Sequence, residues 1–201
     1  DTEVNPYVEA FFKWWESDLH KTLDELRITG GEPMMSPSLW RLLDWFETQK
    51  HKVNPNMRLA INSNLVPKRE LFIKFMNKVK NVPNLHIYTS NEATYEQSNY
   101  IRDGMDYTTW YTHLVNLPGT VKPAGIHNMC TINALCLESL PEFLDDVVKN
   151  KKAWKRVYDV NFNFTLNILR FPSFQSPLVL PDNLRTKFKN NLQAWLDKNI
   201  E

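Results

Sequence analysis

Apolar positions along the chain recur first at helical spacing and then in short runs, and the two patterns alternate from end to end. Val8, Phe11, Phe12, Trp15 and Leu19 mark one face of a helix over residues 6–20, opened by Asn5-Pro6, a capping side chain followed by proline at the first helical position. Leu26-Arg27-Ile28 reads as a short strand ended by Gly30-Gly31. Ser36 or Ser38 then caps a helix with Leu39, Leu42, Leu43 and Phe46 on one stripe. A strand over 58–61 stops at the polar Asn62-Ser63-Asn64, and Leu71, Phe72, Phe75, Met76 and Val79 mark the helix after it. Residues 85–89 form the next strand, followed by helical stretches at 95–102 and 107–117 that Gly104 separates. A strand over 125–131 precedes a helix carrying Leu140, Phe143, Leu144 and Val147. The last strand, 162–169, leads through a loop with Pro172, Pro177 and Pro181 into a helix marked by Leu184, Phe188, Leu192, Trp195 and Leu196.

Five strand-then-helix units with crossovers of helical length predict a parallel sheet with helices outside it, an α/β fold. No linker, repeat or shift in composition divides residues 1–201, which predicts a single domain. The helix at 6–20 has no strand before it. The order therefore looks like a barrel or half-barrel cut just after its first strand and incomplete at its N-terminus. An open edge on the 26–28 strand predicts self-association or a partner there.

Composition narrows the function classes. The 201 residues are 42% hydrophobic and 12% aromatic, enough for a real core, so disorder does not describe the chain. The 24 basic and 23 acidic residues are interspersed, leaving a net charge of +1 and no electrostatic footprint for nucleic acid. Charges interrupt every apolar run well short of the roughly 18 residues that a membrane helix needs. The polar opening, Asp1 to Pro6, does not read as a secretory leader. Cys130 and Cys136 are the two cysteines, which suits a reduced cytoplasmic setting with buried thiols better than a disulfide framework. The five histidines lack metal-site spacing, and no nucleophile elbow or Walker-type loop is present. Tyr7, Trp14 and Trp15 form an aromatic stripe that reads as core, with a partner surface as the alternative.

In parallel α/β folds ligands gather at the carboxyl ends of the strands. Those ends carry Thr29-Gly30-Gly31-Glu32-Pro33, Asn62-Ser63-Asn64, Ser90-Asn91-Glu92, then Asn128 and Asn133, then Asn167 and Arg170. Glycine, asparagine and serine are also ordinary turn residues. The first corner says more. Paired glycines leave backbone carbonyls and amides uncovered, Glu32 can accept hydrogen bonds from an ammonium group, and Pro33 stiffens the exit, an arrangement suited to an amino-acid-like moiety.

Residues 26–33, with Ser36-Pro37 and the Trp40 to Leu43 stretch, resemble the second strand, loop and helix of radical S-adenosylmethionine enzymes, in particular those with a twitch-type domain found in phage and marine bacterial sequences. Asn62-Ser63-Asn64 is similar to that family's Asn-Thr-Asn. Tyr100-Ile101-Arg102-Asp103-Gly104 with Trp110 is similar to its Tyr-Ile-Arg-x-Gly segment, and residues 140–144 and 179–181 continue the likeness. The resemblance implies a partial (β/α)6 barrel of the TIM-like type that binds S-adenosylmethionine. Gly30, Gly31 and Glu32 would receive its amino group, Asn64, Ser90 and Glu92 its ribose and carboxylate side, and Arg102 its carboxylate.

The family's chemistry also needs a 4Fe–4S cluster held at Cys-x3-Cys-x2-Cys, which this chain lacks. The expectation is part of a radical enzyme whose cluster segment lies upstream and whose substrate, a small molecule or a peptide, is not legible. Two alternatives stand beside it. One is an inactive binding or scaffold module with a degenerate pocket; the other is a hydrolase using Glu32 and Glu92 as paired carboxylates.

Overall fold

The structure, a computed structural model, describes residues 5–199. Asp1 to Val4, part of the opening read above as no leader, lie outside the described residues. The strands are β1 (Glu25–Ile28), β2 (Arg58–Asn62), β3 (Leu85–Ser90), β4 (Gly125–Ile132) and β5 (Asn161–Ile168). They form one sheet in the order β1-β2-β3-β4-β5, and every pairing is parallel. The helices are α1 (Pro6–Trp14), α2 (His20–Thr22), α3 (Pro37–Gln49), α4 (Arg69–Val79), α5 (Tyr95–Ile101), α6 (Tyr107–Thr120), α7 (Leu140–Tyr158) and α8 (Asp182–Asn199).

Strand order that follows chain order, with every crossover taking the right-handed sense general to parallel strands, lays the helices on one face of the sheet. There α3 packs on α4, α4 on α6, α6 on α7 and α7 on α8. Alternation along each strand divides the residues accordingly. Leu59, Ile61, Leu85, Ile87, Ile126 and Phe162 point into the helical layer and are buried. Their neighbours Arg58, Asn62, His86, Tyr88, His127 and Asn163 lie on the other, open face and are exposed or half-buried. The core is a single cluster that continues through Phe46, Phe75, Trp110, Phe143 and Trp154.

Asn5 caps α1 through a 3.0 Å bond from the Tyr7 amide, as the sequence predicts. The helical run does not stop at residue 20. A π-helical turn, Trp15–Leu19, leads into α2, and the Trp15 carbonyl accepts both the His20 amide and, at 2.5 Å, the His20 imidazole. The aromatic stripe splits: Trp15 is fully buried between Trp45 and Phe46, whereas Tyr7 and Trp14 are exposed. Ser36 stands at the cap position of α3 but its side chain makes no capping bond. The outer edges of β1 and β5 have no strand partner among the described residues. No helix is long and apolar enough to cross a membrane among the described residues.

Candidate functional site

A cleft of about 340 Å³ opens at the carboxyl ends of β1 to β4. Gly30 and Gly31 form one wall, Asn62, Ser63 and Asn64 the next, then Tyr88, Thr89 and Ser90, with Arg102 to Met105 closing it and Met129 beneath. Gly30 sits at φ +113°, which L side chains rarely adopt, and a Cβ on either glycine would project into open space. Their backbone is therefore bare toward the cleft.

Glu32 stands behind this wall. Its carboxylate accepts the Ser63 hydroxyl at 3.0 Å, the Asn64 amide at 2.8 Å and the Met34 amide at 3.2 Å, the last capping a 3₁₀ turn at Pro33–Met35. Those donors occupy most of the roughly four acceptor positions of a carboxylate. Its visible task is to tie the loop after β1 to the loop after β2. Pro33 is buried inside that turn and does not face the cleft.

Glu92 and Arg102 work as a pair. The Glu92 side chain is 3% exposed and accepts two guanidinium bonds from Arg102, at 2.6 and 3.2 Å, both on the same oxygen. Arg102, 30% exposed, lies just past the end of α5 and lines the cleft. The buried carboxylate thus fixes a guanidinium that lines the cleft. A layer of buried polar side chains supports the loop: Ser98 donates to Asn91 at 2.8 Å, Asn128 to the Asn91 carbonyl at 2.8 Å, and Trp110 to Thr89 at 2.9 Å. Thr94 donates to Glu142 at 2.7 Å and holds the start of α5 against α7.

Of the residues singled out from the sequence, Gly30, Gly31, Asn64, Ser90 and Arg102 meet around the cleft, whereas Glu32, Pro33 and Glu92 brace it from behind. Asn128 belongs to the supporting layer, Asn133 turns back on its own loop, and Arg170 is exposed beyond β5. Asn62, named from the sequence with its strand end, also lines the cleft, and its buried side-chain oxygen has no donor; Tyr88 and Met129, which strand alternation turns toward the open face, carry no such signal in the sequence.

The described residues do not fit an iron–sulfur cluster. Cluster irons take thiolates, usually from four cysteines or from three with one iron left open. Cys130 and Cys136 are both free and buried. Burial pushes the Cys136 thiol up to about 11 and Cys130 higher still. No group of three His, Cys, Asp or Glu side chains suited to a metal occurs among the described residues. No protein-family model and no curated protein matches the sequence.

Proposed function

We propose that the cleft binds S-adenosylmethionine and that the chain is the cofactor-binding part of a radical S-adenosylmethionine enzyme. The observation that carries this reading is Arg102, held by a buried carboxylate and lining the same cleft as the bare backbone at Gly30-Gly31. A guanidinium pre-oriented in this way suits an amino-acid carboxylate. The partnerless Asn62 oxygen asks for a donor such as a ribose hydroxyl or an ammonium group. Bound S-adenosylmethionine would supply the radical chemistry; the residues of this chain would contribute its binding and orientation.

A second reading, a binding module without radical chemistry, is favoured by the two buried thiols, which give no cluster. The hydrolase reading finds no support, since Glu32 and Glu92 are each committed to neighbouring donors.

Calorimetry with S-adenosylmethionine and S-adenosylhomocysteine tests the binding. Arg102→Lys keeps a positive charge beside Glu92 and loses the planar fork, so affinity should fall about tenfold, the worth of one charge-assisted bond. No binding at millimolar ligand, or equal affinity in the variant, overturns the assignment. A protein that joins this chain to a Cys-x3-Cys-x2-Cys segment should release 5'-deoxyadenosine on reduction with S-adenosylmethionine. Binding without that product leaves the binding module.

A further inference from the structure

On the open face of the sheet, toward the amino ends of the strands, two guanidiniums, two imidazoles and a phenol converge. Arg27 on β1 and Arg58 on β2 both donate to the Tyr88 hydroxyl on β3, Arg27 at 3.5 Å. The Arg27 guanidinium lies 4.5 Å from the Tyr88 ring centre, and the His127 imidazole of β4 stacks on that ring at 4.1 Å with planes 6° apart. His86 Nδ1 meets His127 Nε2 at 2.8 Å, so one imidazole donates to the other. Gly125 makes the pair possible, because a Cβ there would stand 2.8 Å from His86 Nδ1 and 2.9 Å from His127 Nε2.

The one carboxylate in the group is Glu25, 2.8 Å from Arg27 and 3.8 Å from Arg58. Two guanidiniums against one carboxylate leave a positive surplus, and Arg58 Nε is buried with no acceptor. Cations are disfavoured here by the guanidiniums. Two guanidiniums on adjacent strands, sharing Glu25 and the Tyr88 hydroxyl as acceptors, suit a group with several acceptor oxygens such as a phosphoryl better than a single flat carboxylate.

We propose that this patch is an oxyanion site that takes a phosphoryl group between the Arg27 and Arg58 guanidiniums, with the His86–His127 pair beside it and Glu25 as its resident stand-in. Tyr88 also lines the cleft above, so a ligand seated there can reach both regions. The proposal does not depend on S-adenosylmethionine binding. It carries a linkage to protons. Burial first, and the guanidinium charges with it, hold both imidazoles below their ordinary value, His127 at about 4. The charged and titratable groups facing them are Arg27, Arg58, Glu25 and Tyr88; from β5, the register partners of Gly125 and His127 are the uncharged Asn161 and Asn163. A phosphate dianion offsets the guanidiniums and raises both imidazoles, so its binding is linked to proton uptake by the pair.

The test is a titration of the whole chain with inorganic phosphate at constant ionic strength, read on the imidazole resonances. His86 and His127 should shift saturably and titrate at higher pH with phosphate present, while exposed His51 stays in place. Glu25→Gln removes the competing carboxylate and should tighten phosphate several-fold. Arg27→Gln, at a half-exposed edge position, should weaken it about tenfold. Shifts that do not saturate, or that His51 shares, mean a diffuse ionic atmosphere and overturn the site. Acetate binding as tightly as phosphate overturns the phosphoryl assignment. Unchanged affinity in Glu25→Gln overturns the role of Glu25.

Discussion

Glu92 and Arg102 show how unequal the two ends of one ion pair can be. The carboxylate is 3% exposed and the guanidinium 30%, so only the arginine has water to fall back on when its partner is lost. Arg102→Ala leaves an uncompensated buried charge and should cost about 3–5 kcal/mol of stability. Glu92→Gln leaves a half-hydrated guanidinium and should cost less, about 1–3 kcal/mol. Urea denaturation of the two variants checks the order, and equal losses would contradict it. The sequence exposed parts of this site unevenly. Gly30-Gly31 was legible because two adjacent glycines at a strand end serve backbone approach or a turn and little else. The pairing of Glu92 with Arg102 was not legible, because it exists only once α5 has carried Arg102 back over the loop after β3. Glu32 read as a ligand group for a similar reason: its partners Ser63 and Asn64 come from the next strand end, which no local pattern reveals.

At the scale of elements, the five strands and the helices between them were readable because their periods differ and glycine, asparagine or proline separates them. What periodicity missed was context: the π turn after α1, and the exposure of β5. Periodicity reports which side of a strand is apolar, not whether anything covers it. The two edge strands differ in this respect. β1 is four residues long and carries Glu25 and Arg27, charges that discourage pairing with another chain. β5 is eight residues long, uncharged, and leaves Leu166 and Ile168 more than half exposed on its helix-facing side. Self-association, expected from the sequence at β1, would meet fewer charges at β5, where a second copy of β5 could pair without charge repulsion. Light scattering over a concentration series should show association that Thr165→Lys suppresses while the circular dichroism spectrum is unchanged. A wild-type protein that stays monomeric throughout would end the idea.

The whole molecule carries three imidazoles that the fold keeps neutral. Burial lowers His86, His113 and His127, and for His113 a bond to the Leu65 carbonyl opposes the shift without reversing it. Their unfolded value is 6.5. Above that pH both states are unprotonated and these groups do not affect stability. As pH falls toward about 4, where His127 titrates in the fold, the unfolded chain binds protons that the native state refuses, and stability drops. Carboxylates enter only near 4.5, so the interval from 6.5 down to about 5 belongs to the imidazoles. The urea midpoint should therefore be level from pH 8 to 7 and fall from 7 to 5; a level midpoint down to 5 would show that the imidazoles are not held neutral. The sheet has one more consequence. Each strand pairs only with its neighbours in the chain, so a polypeptide emerging from the ribosome can add every new strand to an edge already complete, without waiting for distant sequence. Backbone amides should exchange with deuterium most slowly in β2 to β4, where both flanks are filled, and faster in β1 and β5, each paired on one side among the described residues.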